Sequence, residues 1–378
     1  MRCALAGLVV TLTLASTVAA AEGAPQAKPP EQKPSPEPKK DPPKASVSGF
    51  VQLDYRRGDD AGQALAAHEF NYRRARLSLG GSVKDGIDYV VTLQAEPAAT
   101  ALLDVNVDFR LKPMMKLRVG QFKYDFDMDG RESSSSRAFF DRPWITNTVA
   151  GSLDGTSNAS VTPASFRDRG ATLLGDSKDR RVNWGYSVGV FQGSGRASDS
   201  NDAFSYVIGL RLYPVENLRL NAGYLFSDNL AEGKDGSNEY SAWTAGAQFE
   251  RAKVSFRGEY YWARRDLGTT EQDVDGFYVY GSYSPVPSLD LLARYQWMQD
   301  GRFVEGSRSA DSVDLGVKWY FNRRGARAGT YVSANYSVRG ADKGFNRGPT
   351  LLNDGRGAAL TDGSLVKGVF VARVQFQF

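Results

Sequence analysis

The sequence predicts an all-β fold, a transmembrane antiparallel barrel of sixteen strands. Three observations carry that reading. From Val47 onward apolar residues recur with a period of two, and polar residues fill the positions between them. Short connections alternate with longer ones along the chain. The only long uncharged run, Cys3 to Ala21, belongs to an N-terminal leader, so no helical membrane span is left for the rest.

The leader comes first. Arg2 supplies a positive charge, Ala4 to Leu14 an apolar core and Val18-Ala19-Ala20-Ala21 a small-residue cleavage site. Residues 1–21 therefore read as a secretory signal peptide. Cys3 precedes the apolar core, which argues against a lipid-modified N-terminus. Residues 22–44 hold eight of the 16 prolines, interleaved with Lys28, Lys33, Lys39, Lys40 and Lys44. Such a stretch cannot bury a core and predicts a disordered periplasmic linker. A functional reading has it contact peptidoglycan; composition alone favours a plain spacer. Residues 45–378 form the barrel domain.

Within that domain the C-terminal segment shows the pattern plainly. Gly368, Phe370, Ala372, Val374, Phe376 and Phe378 fall on one face, Val369, Val371, Arg373, Gln375 and Gln377 on the other. In Leu103 to Leu111 the odd positions are apolar, and Asp104, Asn106, Asp108 and Arg110 alternate with them. Segments of this kind place strands near 47–57, 69–81, 87–96, 102–111, 116–123, 167–175, 182–192 and 203–213. They continue at 218–227, 239–249, 254–264, 276–284, 288–299, 311–321, 328–338 and 366–378. No stretch shows sustained helical periodicity. Tight turns such as Lys84-Asp85-Gly86 alternate with loops at 58–68, 97–101, 124–166, 194–202, 228–238, 265–275, 300–310 and 339–365. Strands of about ten residues, with short turns at one rim and long loops at the other, meet the requirements of an outer-membrane barrel. Lipid hydrates no backbone, so such a sheet must close on itself.

With lipid outside, the polar partner of each strand faces the lumen, and sixteen strands enclose water rather than a packed interior. Strand parity turns inward the basic residues Arg56, Arg74, Arg76, Arg110, Arg118, Arg211, Arg219, Arg257, Arg294, Lys318, Lys367 and Arg373. It also turns inward the acids Asp54, Asp88, Glu96, Asp104, Asp108, Glu250, Glu259, Asp290 and Asp314. Arginine outnumbers lysine 32 to 15 across the chain, and its planar fork of donors suits oxyanions. The plainer alternative is that these arginines pair with lumen acids and brace the wall. The longest loop, 124–166, is too long to be idle. Lys123 stands at its root, and Arg131, Arg137 and Arg142 lie within it beside Asp125, Asp127 and Asp129. Folded inward, this third loop would narrow the channel.

At this point the sequence resembles a known family, the phosphate- or polyphosphate-selective outer-membrane porins O and P. The matching residues are Arg73-Arg74-Ala75-Arg76-Leu77, Gly120-Gln121-Phe122-Lys123 running to Phe126, and Ser133 to Arg137. Phe139-Phe140-Asp141-Arg142, Arg169-Gly170, Gly189 to Gly193 and the terminal Phe378 follow in order. The resemblance implies a homotrimer with the third loop folded into each pore. It implies that Lys123, Arg131, Arg137 and Arg142 form an anion-binding constriction. Arg74 and Arg76 would belong to an arginine ladder, which parity extends to Arg118, Arg211, Arg219, Arg257 and Arg294. The chain departs from the family at Asp125, where proline is common before Phe126, and Asp127 and Asp129 add negative charge. An acidic loop opposite a basic wall would give the crosswise field of a general or weakly cation-selective porin.

Other chemistries find little support. A net charge of +4 is too slight to argue for nucleic acid. The single Cys lies in the leader, which removes thiol and iron–sulfur chemistry, and no cofactor is expected. Asp125-x-Asp127-x-Asp129-Gly130 copies half of an EF-hand loop, but its twelfth position is Ser136, and no metal site is assigned. The remote alternative, a barrel enzyme, would depend on the sole histidine, His68.

Overall fold

A computed structural model describes residues 45–58, 69–96, 99–151, 166–177, 182–193, 204–228, 239–266, 271–301, 307–342 and 368–378. The leader and linker segments, Lys367 and His68 lie outside the described residues.

Sixteen strands run in chain order. The first five are β1 (Ala45–Gly58), β2 (Glu69–Lys84), β3 (Ile87–Glu96), β4 (Ala99–Lys112) and β5 (Met115–Lys123). After the third loop come β6 (Arg167–Ser177), β7 (Asn183–Phe191), β8 (Ser205–Val215), β9 (Leu218–Asp228), β10 (Glu239–Arg251) and β11 (Val254–Asp266). The last five are β12 (Glu271–Val286), β13 (Leu289–Asp300), β14 (Arg308–Arg324), β15 (Ala328–Ala341) and β16 (Gly368–Gln377). Each pairs antiparallel with its neighbours, and β1 pairs with β16 from Phe50↔Gln377 to Gly58↔Val369, closing the barrel. Phe378 extends the seam: its N–H donates to Gly49 O at 3.0 Å, and Gly49 N–H donates back at 3.1 Å. Closure leaves no edge strand, as a sheet in lipid requires.

The two faces differ as the period of two predicts. On β8, Tyr206, Ile208, Leu210 and Leu212 are exposed, while Ser205, Val207 and Arg211 are buried. On β13, Leu291 and Tyr295 face out, and Asp290, Arg294 and Gln296 face in. Among the described residues no helix is long and apolar enough to cross a membrane.

Three expectations are corrected. Leu103 is not on the lipid face: the β3–β4 register slips after Thr92↔Asp104 to Leu93↔Leu102, so Leu103 bulges inward and is fully buried. Strands also run further than expected into the segments drawn as loops at 265–275 and 97–101: β11 continues to Asp266, β12 begins at Glu271 and β4 begins at Ala99. Arg264 on β11 pairs with Asp273 (2.8 Å) and Glu271 (3.0 Å) on β12, holding that extension together in water. The third loop also contains two short helices, α1 (Met128–Arg131) and α2 (Trp144–Ala150).

Residues 124–151 of that loop hydrogen-bond to inward-facing side chains of β1, β9, β11, β13, β14 and β16, and so lie within the lumen. Glycine makes room for them. A Cβ on Gly209 would collide with the Asp125 carbonyl oxygen, and one on Gly223 with that of Phe126. Phe126, Phe139, Ile145 and Val149 pack on Phe191, Tyr261, Tyr278 and Met298 in an apolar core between loop and wall.

Candidate channel constriction

The loop is fastened to one side of the barrel by donors from the wall. Gln52 on β1 donates to Ser134 O (3.0 Å), and Gln375 on β16 to Ser135 O (3.0 Å). Lys318 on β14 donates to Arg137 O (2.6 Å), Arg373 on β16 to Phe140 O (3.2 Å), and Arg294 on β13 to Asp141 O (3.0 Å). Arg257 on β11 reaches the Glu132 carboxylate at 2.9 Å, with Arg327 at 3.5 Å. Polar groups out of water need partners, and here wall cations supply them to loop carbonyls. Arg294 and Arg257 are therefore committed to the loop, Arg294 also holding Asp314 at 2.7 Å.

The other side stays open. Between the loop and β1–β8 lies a cavity of about 720 Å³ lined by Arg76, Arg118, Lys123, Arg131, Arg167 and Arg211. Asp104, Asp125 and Asp176 are the acids in its lining. Each of the three is met by arginine. Asp104 takes Arg167 through both oxygens (2.8 and 3.1 Å); Asp125 sits between Arg131 (2.5 Å) and Arg211; Asp176 receives Arg211 at 3.0 Å. Arg118 is held by Asp108 at 2.6 and 2.8 Å. Arg76 and Lys123 have no carboxylate within ion-pair distance among the described residues. Arg76 binds the Gln94 amide oxygen, and its guanidinium lies over Phe50 at 5.1 Å.

Lys123 ends β5 and points into the turn of the loop. Its ammonium donates to Gly130 O (2.8 Å) and Glu132 O (2.7 Å), carbonyls that Arg142 also reaches at 3.1 and 2.9 Å. The guanidiniums of Arg142, Arg167, Arg76 and Arg137 all lie close enough to repel it. Arg142 is buried and bonded to Asp129 at 2.7 Å. Arg137 donates to Ser134 Oγ at 2.6 Å and has no carboxylate partner among the described residues. Burial, with Arg142 beside it, pushes the Arg137 guanidinium well below its ordinary value. Arg137 and Arg142 do not line the open cavity. Of the remaining ladder, Arg74 is buried 3.9 Å from Glu96, and Arg219 keeps Nε and one terminal nitrogen buried without a hydrogen-bond partner.

The loop acids do not face the open channel as a group. Asp125 is sandwiched by two arginines. Asp127 caps α1, accepting from Gly130 N–H at 2.9 Å, and its other oxygen meets the Tyr261 hydroxyl at 2.9 Å. Against the penalty of burial, Arg142, Arg137 and Arg257 hold Asp129 below the usual carboxylate range. The half EF-hand pattern is thus a helix cap, and among the described residues no group of three acids or histidines is placed to hold a cation.

Arg167 was missed in the sequence. It opens β6 beside Lys123, its register partner, and strand parity gave it no inward assignment. Its signal was its distance from Asp104, visible only once β4, β5 and β6 are side by side.

The profile of the phosphate-selective porin O and P family matches residues 46–215. No curated protein sequence matches the chain. Among solved structures, an anion-selective porin from Comamonas acidovorans superposes with a TM-score of 0.63 at 13% identity, covering 89% of this chain and 100% of its own. OmpT of Vibrio cholerae gives 0.62 at 12% identity, covering 90% and 99%. The outer-membrane channel DcaP of Acinetobacter baumannii gives 0.56 at 11%, covering 90% and 99%. These structural likenesses speak for the fold, and the profile match speaks for the family. The chain is an outer-membrane diffusion porin, and its residues 46–215 are similar to the phosphate-selective porin O and P family.

Proposed function

We propose that this porin prefers anions, with phosphate or polyphosphate as the solute class, and that it works as a homotrimer in the outer membrane of a Gram-negative bacterium. One observation carries the preference: the open cavity is lined by six cations and three carboxylates, and every one of those carboxylates is already met by arginine. A passing anion therefore meets unmatched positive charge at Arg76 and Lys123, in a confined space where the field is poorly screened. A Vibrio cholerae relative in fold is described in a trimer form, which supports the assembly. The leader and the proline-rich segment fit export followed by a periplasmic spacer.

The test is to add phosphate to a chloride-filled channel in a planar bilayer and record the chloride current. Dose-dependent block by phosphate, weakened in Arg76→Gln, supports the reading. A current unmoved by phosphate contradicts it and leaves a general porin.

A further inference from the structure

Behind the loop, where α1 meets β11 and β12, Asp127 and Glu259 share one phenol. Tyr261 Oη lies 2.9 Å from Asp127 Oδ2 and 3.0 Å from Glu259 Oε2, and Thr146 Oγ1 donates to it from 3.1 Å. A phenol carries one proton and can donate to only one of the two carboxyls. Glu259 already accepts Met128 N–H (2.7 Å), Asp129 N–H (3.1 Å) and the Tyr278 hydroxyl (2.6 Å), so it is the acceptor-only member. Asp127 Oδ1 is taken by the helix cap. Every contact is satisfied when Asp127 Oδ2 carries a proton and gives it to Tyr261, which gives its own to Glu259. With Asp127 ionised, Asp127 Oδ2 and Glu259 Oε2 compete for one donor, both of them buried.

We infer that Asp127 holds a proton while the loop is seated, and through the Tyr261 hydroxyl and Glu259 acts as a positioning residue for α1 and the constriction. The charges around it agree. Asp129 on α1 and Glu259 on β11 repel an ionised Asp127, whereas Arg142 in the loop favours it. Arg257 on β11 and Tyr278 on β12 face Glu259. Burial first, then Glu259 and Asp129, push the Asp127 carboxyl up to about 8. An unseated, hydrated loop would return it toward the ordinary carboxylate value of about 4. Between those limits the seated loop binds one more proton than the free one, so seating weakens as pH rises, by up to tenfold per unit, and levels off above about 8. The inference concerns the loop's position and holds whichever ion the pore prefers.

Single-channel records of the full protein between pH 4 and 9 test it, read as the ratio of time in noisy, unseated substates to time in the quiet level. In the wild type this ratio is expected to climb up to tenfold per unit toward pH 8 and then flatten. Asp127→Asn keeps the cap acceptor and places a donor toward Tyr261, so it should stay quiet and pH-independent. Tyr261→Phe removes only the shared hydroxyl and should be noisy even at pH 5. A wild type without pH dependence, or Asp127→Asn following the wild-type profile, would overturn the inference. So would a Tyr261→Phe channel that is quiet at pH 5.

Discussion

Removing the Arg167 guanidinium should shift the channel toward cations, and removing its partner should shift it the other way. In the intact pair, Arg167 meets both oxygens of Asp104 at 2.8 and 3.1 Å, so a passing ion sees little net charge there. Arg167→Gln uncovers one negative charge in the cavity wall. For an ion passing about 10 Å away through water, one unit charge is worth about 0.4 kcal/mol, unfavourable for an anion and favourable for a cation. The two effects combine to about 0.8 kcal/mol in the anion-to-cation permeability ratio, or roughly fourfold. Asp104→Asn should raise the ratio by about the same factor, and the double variant should return near the wild type. The assay is the zero-current potential across a KCl gradient, with barrel folding checked by heat-modifiable gel mobility. If both single variants move the ratio in the same direction, or the folded Arg167→Gln leaves it unchanged, the masking argument is wrong.

Other consequences follow from the way the loop and the seam are held. Lys318→Met strips the donor from the partly buried Arg137 O, a cost of about 1 kcal/mol to loop seating; single-channel noise should rise while barrel melting barely moves. Gly223→Val drives a side chain into the Phe126 carbonyl, so the loop should lift from β9, and the mean conductance should change in the same assay. Deleting Phe378 removes two backbone hydrogen bonds to Gly49, each worth about 1 kcal/mol. The yield of folded barrel on refolding should fall while the potential of channels that do form stays the same.

Most of the fold was legible because lipid and water impose opposite demands on alternate residues, and that contrast is written directly into β8, β13 and β16. The errors fall where another force enters. Leu103 was misplaced because one bulge reverses parity without any mark in composition. The extension of β12 to Glu271 was missed because charged pairs with Arg264, not apolar alternation, sustain it. Helices of four and seven residues are too short to show a helical period. In the constriction, inward cations could be named from parity, but not divided into those that hold the loop and those that face the open cavity. Arg294 and Arg76 look alike in sequence. One is bonded to Asp141 O and the other lines free space, and contacts 153 positions apart in sequence decide which. The same holds for the acids, whose number is readable and whose partners, such as Arg211 for Asp125, are not.

The central claim is that positive charge outweighs negative charge where solutes pass. It is tested most directly by the zero-current potential of the wild-type protein in a planar bilayer across a KCl gradient. The account predicts the sign of chloride preference, carried by Arg76, Lys123 and their neighbours in the open cavity. A potential near zero, or one of the sign for potassium, would contradict it, and would mean that the loop acids act on the pore despite their arginine partners.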